Sequence, residues 1–211
     1  QATAWTAHPY QFPTIGWPSD IEGWKIDDLK KFFKTYYAPN NAVLVVAGDV
    51  DPAQVFALAD KYLAPLRKQP APAPITTVEP EQQGERRLVV ERADAQSPIV
   101  AYAFHSGLGA GSKEFPTLEL LTTILSQGES SRLHQRLVEK EQAATQAGAF
   151  AEAGFDPGLL WIYAMLPPGG DMAKVETLLD DELAKIARDG VSAAELEKAR
   201  NLKSSAFWRG M

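Results

Sequence analysis

The chain has 211 residues, which is enough for one large domain or two small ones. With 45% hydrophobic and 23% charged residues it has the composition of an ordinary globular protein, and its net charge of −6 lacks the basic character of nucleic-acid-binding proteins. No apolar run approaches the roughly 18 residues that span a bilayer, and the absence of cysteine excludes disulfides, thiolate metal sites and a cysteine nucleophile.

Two helices and one strand are predicted in the first third of the chain. Apolar residues at helical spacing predict a helix over residues 26–37, and Pro39 ends it because proline cannot continue the backbone hydrogen-bond ladder. Residues 42–47 (AVLVVA) are apolar at every position, which predicts a strand covered on both faces. Asp51 can cap a second helix and Pro52 suits its first turn.

A proline-rich segment follows these elements. Residues 67–84 show neither a helical nor a strand period and predict an extended, fairly stiff linker. We therefore predict a first domain over residues 1–66 and a second over residues 85–211. The chain begins without methionine or a signal peptide and ends inside a predicted helix. We expect it to be a piece of a longer protein, with both domains incomplete.

The second domain is predicted to alternate pairs of strands with pairs of helices. The turn signal DPG at residues 156–158 joins two strands into an antiparallel pair, and Glu195 completes a capping box with Ser192. The predicted strands are residues 87–92, 99–105, 143–155 and 159–166, and the predicted helices are residues 115–126, 131–141, 172–188 and the segment after Ser192. This order predicts an α+β fold, with helices packed on an antiparallel sheet.

The chain shows no complete catalytic motif. His8, His105 and His134 lie far apart in the sequence, and neither HExxH nor HxxEH occurs. A zinc site built from His8, His105 and a distant carboxylate stays open as an alternative. The GAGS stretch at residues 109–112 lacks the lysine of a phosphate loop and is typical of a strand-to-helix turn. We predict no catalytic and no metal-binding residue in this chain.

Aromatic residues are the candidates for contact with a peptide. Trp161 and Tyr163 alternate along one predicted strand and therefore share a face. Phe104, on another predicted strand, is grouped with them as a candidate substrate-binding residue. Packing in the core is the simpler interpretation of such aromatic residues.

Short motifs in a fixed order give the chain a family resemblance. It resembles the insulinase/pitrilysin family of zinc peptidases (inverted zincins), which includes the mitochondrial processing peptidases. The resemblance covers nearly the whole chain, from the end of the family's first domain through most of its second. The motifs are HPY at residues 8–10, P-x-x-G at 13–16, YAPN at 37–40, GD at 48–49, QGESSRLHQRLV at 127–138 and ELEKAR at 195–200.

This resemblance implies a duplicated α+β domain, two or four copies of which enclose a peptide or an unfolded protein in a chamber. The family's HxxEH motif and a later glutamate would precede Gln1. Two histidines and a glutamate there would bind zinc, and the glutamate of the motif would act as general base. The chain would then supply scaffold and cavity wall, with zinc in the parent protein and none here. Its partner would be a second peptidase-family half or subunit.

The same resemblance allows a catalytically inactive family member that serves as an assembly subunit. Some members hold substrate with an arginine and a tyrosine near the central strand and turn. Here Leu160 stands at the place of that arginine, and the turn after the strand has no tyrosine. Bacterial relatives with a similar YYAPNNA segment are commonly exported, which predicts a periplasmic location.

Overall fold

A computed structural model describes residues 2–210, and its chain divides into two units between Gln83 and Gly84. The first unit is helical and contains α1 (Pro18–Gly23), α2 (Ile26–Tyr36) and α3 (Pro52–Leu63), with single 3-10 turns at Pro9–Gln11 and Pro39–Asn41. The two helices predicted from the sequence are thereby confirmed. The Asp51 side chain caps α3 by accepting a hydrogen bond from the Ala53 N–H at 2.9 Å.

Side chains at two positions fix the proline-rich segment to the first unit. The Glu79 carboxylate accepts hydrogen bonds from the backbone N–H groups of Thr6, Ala7 and His8 at 2.7–2.8 Å. Near the start of the segment, the Asn40 side-chain amide exchanges two hydrogen bonds of 3.0 Å with the backbone of Gln69. The segment contains neither helix nor strand, as predicted, and Gln69 and Glu79 hold it to the first unit.

The strand predicted over residues 42–47 is wrong for this structure. Its residues lie outside any sheet, and Val43 and Val45 are 90% and 81% exposed. No backbone hydrogen bond of residues 42–47 is found within the described part of the chain. A strand requires a neighbouring strand to pair with, and apolar residues alone do not provide one.

The second unit is a three-stranded antiparallel sheet with helices on one face, which confirms the predicted α+β class. The strand order is β1-β3-β2, so β3 lies in the centre. A π-helical segment (His134–Lys140) lies within the helix predicted over residues 131–141. The elements are β1 (Ile99–His105), α4 (Phe115–Ser126), β2 (Gln146–Ala151), β3 (Leu159–Met165), α5 (Met172–Asp189) and α6 (Ala193–Arg209).

Alternation along the strands gives the sheet two different faces. On one face, Val100, Ile162 and Ala164 pack with buried leucines of α4, α5 and the π-helical segment to form the core. We call this the helix face. The side chains of odd-numbered β3 residues, among them Trp161 and Tyr163, project from the opposite face, which we call the outer face. The capping box of Ser192 and Glu195 is also present, as predicted.

The strand predicted over residues 87–92 is also wrong for this structure. These residues form no ladder, and Leu88, Val89 and Val90 are 65–69% exposed. Arg87 instead donates two hydrogen bonds to the Glu176 carboxylate on α5, at 3.1 and 2.9 Å. The segment is therefore held beside α5 rather than paired with β1.

No described helix is long and apolar enough to cross a membrane.

Candidate functional site

The outer face of the sheet carries a cluster of three aromatic side chains, Phe150, Trp161 and Tyr163, which we call the aromatic face. Phe150 is opposite Trp161 in the β2–β3 register, and their rings stack with centroids 6.2 Å apart and planes 17° apart. The Tyr163 ring meets Phe150 edge-on at 6.5 Å. Phe150 is 48% exposed, so the cluster presents apolar ring surface to solvent.

Hydrogen bonds fix the indole of this cluster. The Trp161 Nε1–H donates to Glu152 Oε1 at 2.9 Å, and the backbone N–H of Leu159 donates to the other carboxylate oxygen at 3.2 Å. The turn at residues 156–158 brings Glu152 and Leu159 together, as the DPG signal predicts. An indole held at its polar end offers its ring to a ligand with little loss of conformational entropy.

Gly148 provides room for Tyr163. The two residues are paired across β2 and β3, and a Cβ at position 148 would lie 2.6 Å from the phenol end of the Tyr163 ring. Only glycine allows the ring to lie this close to the β2 backbone. The position of Tyr163 on the aromatic face therefore depends on the residue opposite it.

We expect Gly148→Ala to displace the Tyr163 ring while leaving the fold intact, because the clashing atoms are the far end of a flexible side chain. The measurement is the near-UV circular dichroism of the variant together with its melting temperature. Gly111→Ala is the matched control, since a Cβ there meets nothing within 4 Å. An unchanged aromatic signal in Gly148→Ala would contradict the assigned packing.

Phe104 lies on the helix face, away from the other two predicted residues. It is opposite Leu160 in the β1–β3 register, and both line an apolar groove with Leu121 and Leu183 between the helices. Its ring meets Tyr102 edge-on at 6.2 Å. The structure thus brings Trp161 and Tyr163 together and places Phe104 on the other side of the sheet. The contact of all three with substrate stays a prediction.

His8 and His134 each contact neighbouring side chains of the protein. His8 is buried beside Trp5 and Tyr10, with ring centroids 5.2 and 4.5 Å away, and its Nδ1 accepts a hydrogen bond from the Tyr10 N–H. His134 Nε2 lies 3.1 Å from a Glu139 carboxylate oxygen. Within residues 2–210, no group of three or more histidine, aspartate or glutamate side chains is arranged to hold a metal ion. The described residues therefore do not fit a zinc ion.

An ion pair joins the start of the π-helical region to the start of α6. Arg132 donates to both carboxylate oxygens of Glu195, at 2.6 and 2.9 Å, and to the Gly190 carbonyl at 3.1 Å. Hydrogen bonds from Arg132, and then from the backbone and hydroxyl of Ser192, lower the pKa of Glu195 from 4.5 to about 2. This pair fixes the helices beneath the sheet rather than forming a reactive site.

The comparison with protein families identifies the family to which this fold belongs. The profile described as the peptidase M16 inactive domain matches residues 23–203. The chain belongs to the peptidase M16 family. This confirms the zinc-peptidase resemblance and the α+β metallopeptidase fold that the short motifs predicted.

Individual M16 relatives match along nearly the whole chain. It is 31% identical to the zinc protease PqqE of Helicobacter pylori over 224 residues, covering 99% of the chain and 49% of that relative. A crystal structure of a protease from Helicobacter pylori superimposes with a TM-score of 0.85 at 30% identity, covering 98% of the chain and 50% of that structure. The chain thus spans about half the length of these relatives.

The fold also occurs in a more distant solved structure. A chain of Complex III2 from Candida albicans superimposes with a TM-score of 0.78 at 18% identity, covering 99% of this M16 chain and 50% of that one. At this identity the likeness concerns the fold alone.

Sequence reasoning missed two members of the site, Gly148 and Phe150. Both lie on β2 at alternate positions, so their shared face could have been read from the same period of two that paired Trp161 with Tyr163. The contact of Phe150 with Trp161 could not be predicted from the sequence, because it depends on the register between two strands.

Proposed function

We propose that the chain is part of a zinc-dependent endopeptidase that degrades peptides or unfolded proteins in an enclosed chamber. Its own contribution is scaffold and a wall of the substrate cavity. Membership of the peptidase M16 family carries this proposal, together with a relative named a zinc protease that is 31% identical over 99% of the chain. We assign the zinc to another part of the parent protein, where it would activate water for hydrolysis, because the described residues include no group of three or more histidine, aspartate or glutamate side chains that could hold it.

The aromatic face supports a role in contacting substrate. Unfolded polypeptides expose apolar side chains, and rigid aromatic rings bind these without requiring one sequence. Trp161 is fixed by Glu152, and Phe150 is half exposed beside it. We assign Trp161 and Tyr163 to the cavity wall, with Phe150 as a further member. Phe104 would contact a peptide only through the groove on the helix face.

The first unit supports the proposal that a further peptidase-family half or subunit is the partner. On α2 the side chains of Phe32, Phe33 and Tyr36 are 45–61% exposed, and the Phe32 and Tyr36 rings, whose centroids lie 4.6 Å apart, form an apolar patch. Such a patch is suited to burial against more protein. We assign residues 1–66 to the end of one family domain and residues 85–211 to the next, joined by residues 67–84. A periplasmic location remains part of the proposal, to be tested by fractionation of the parent protein.

The second candidate is a family member without peptidase activity that acts as a partner or assembly subunit. A chain of Complex III2 that shares this fold supports this candidate at the level of the fold alone. The two candidates differ in the parent protein upstream of residue 1. An HxxEH motif there favours the peptidase, and its absence favours the subunit.

The test is hydrolysis of an unfolded protein by the full-length parent. We expect cleavage that is lost on treatment with a zinc chelator and restored by added zinc. The isolated chain of 211 residues should show neither cleavage nor stoichiometric zinc after dialysis. One zinc per isolated chain would contradict the assignment, and a zinc-free, inactive parent would favour the assembly subunit.

A matched pair of variants in the parent tests the cavity wall separately. Trp161→Ala should lower kcat/KM for an unfolded substrate by about tenfold, the size expected for losing one aromatic contact. Trp208→Ala is the control, because Trp208 is 69% exposed near the end of α6, away from the sheet. Equal activity of both variants would remove Trp161 from the wall without affecting the assignment to the family.

A further inference from the structure

Glu152 places a carboxylate beside the aromatic face. It follows Phe150 by two positions, and its backbone N–H donates to the Leu159 carbonyl at 2.9 Å, so the strand pairing continues through it. The Glu152 side chain therefore projects from the outer face, as that of Phe150 does. The residue is partly exposed. A fixed negative charge thus lies at the edge of the aromatic cluster and is open to solvent.

The carboxylate of Glu152 has acceptor capacity left. An ionised carboxylate has about four acceptor positions. The described contacts use two of them, one for the Trp161 indole N–H and one for the Leu159 backbone N–H. Both donors are neutral, so they orient the carboxylate without balancing its charge. All of these groups lie within the hairpin of β2 and β3, and their arrangement is set by that hairpin alone.

The rings next to Glu152 present a flat surface. The Phe150 and Trp161 planes are within 17° of parallel, and Phe150 is 48% exposed. The face of an aromatic ring carries partial negative charge and attracts a cation, and the attraction is greatest for tryptophan. Ring surface and carboxylate therefore favour the same class of ligand.

The sheet supplies no basic side chain to this region. The chain has 21 lysine and arginine residues, yet none lies in β1 or in residues 146–165, which contain β2, β3 and their connection. The connection also carries a second acid, Asp156. The strands thus combine negative charge with aromatic surface, which is complementary to a positively charged ligand.

We propose that Glu152 and the aromatic face form a binding site for an arginine side chain of a polypeptide. The guanidinium group is planar, so it can stack on the rings of Phe150 and Trp161 while its N–H groups donate to Glu152. An ammonium group is a compact, strongly hydrated charge and gains less from a ring face. That the polypeptide is a substrate rests on the proposed function, in which the site holds arginine residues of an unfolded chain against the cavity wall.

Binding of two matched ligands to the chain tests the site. One is N-acetyl-arginine methylamide, and the other is its citrulline analogue, which has a similar shape without the positive charge. The NMR signal of the Trp161 indole N–H, assigned by its loss in Trp161→Phe, reports binding. We expect the arginine compound to bind about tenfold more tightly, as one charge-assisted hydrogen bond with a ring contact would provide.

Glu152→Gln should abolish this preference with the far-UV circular dichroism unchanged, and Glu197→Gln should retain it. Glu197 is the matched control, because it is an exposed glutamate on α6 whose replacement removes the same charge. Equal binding of the two compounds to the unchanged chain would overturn the proposal, and so would a preference that survives Glu152→Gln. The first comparison needs no variant, so it decides the matter even if Glu152→Gln loosens the indole.

Hydrolysis by the full-length parent relates the site to substrate. Replacing one arginine of an unfolded substrate by citrulline should raise KM about tenfold for the parent and should have no effect on KM for its Glu152→Gln variant. The same KM for both substrates with the parent would remove Glu152 from substrate binding. A parent that cleaves neither substrate would contradict the proposed function, while binding of the two compounds to the chain would still decide whether the arginine site exists.

Discussion

Replacing Ile162 with alanine is expected to lower the free energy of unfolding of the second unit by about 2–5 kcal/mol. Ile162 is 1% exposed at the centre of the middle strand, and it packs in the core with Leu125 and Leu179. Truncation leaves a cavity that the surrounding helices cannot fill. Urea denaturation followed by far-UV circular dichroism measures the loss, and hydrogen exchange of the β3 amides assigns it to this unit.

Tyr163→Ala is the matched control, because Tyr163 is the next residue on the same strand but projects from the outer face. Its ring is partly exposed over Gly148, so we expect a smaller loss of stability than for Ile162→Ala. Equal losses for the two variants would mean that the sheet has no distinct helix face. The pair therefore tests the assignment of faces on which the position of the aromatic face depends.

The helices could be predicted because their signals are local. The prolines, the Asp51 cap and the Ser192–Glu195 capping box each act within four residues of a helix end. The helical spacing of their apolar residues is the second local signal. The π-helical segment was not predicted. Its hydrogen bond from the Glu141 N–H to the Arg136 carbonyl, at 3.1 Å, spans five residues, and no distinctive residue type marks this pattern in the sequence.

Strands were predicted less well because pairing is not local. Residues 42–47 and 87–92 have the composition of strands, yet neither has a hydrogen-bonded neighbour in the described chain. The strands that do form include the hairpin of β2 and β3, whose turn signal DPG brings the partner close in sequence. Composition indicates which segments can form strands, but a segment forms one only when a neighbouring strand pairs with it.

The candidate site shows the same limit. The period of two along a strand placed Trp161 and Tyr163 on one face correctly. It could not relate Phe104 to them, because that requires the register between β1 and β3. Arg132 and Glu195 were each noted in a motif, but they are 63 positions apart and nothing in the sequence joins them.

Replacing Arg132 with methionine is expected to lower the free energy of unfolding by about 1–3 kcal/mol at neutral pH, since it leaves a partly buried carboxylate without its main donor. The Glu195 side chain is 30% exposed and the Arg132 side chain 20% exposed. Arg188→Met is the control: the Arg188–Asp189 pair is 68% and 58% exposed, so its removal should cause no measurable change. Equal effects would show that Arg132 adds no more than a surface ion pair.

Glu195→Gln should remove a pH-dependent part of the stability. Because hydrogen bonds from Arg132, and then from Ser192, lower the pKa of Glu195 from 4.5 to about 2, this contribution is fully present above about pH 4.5 and is lost as the pH falls towards 2. It amounts to on the order of 1–2 kcal/mol once solvent screening of the partly exposed pair is considered. Urea denaturation of the chain and of Glu195→Gln from pH 6 to pH 2 should show two curves that converge at low pH. A constant difference across that range would mean that the carboxylate of Glu195 is not stabilised by Arg132.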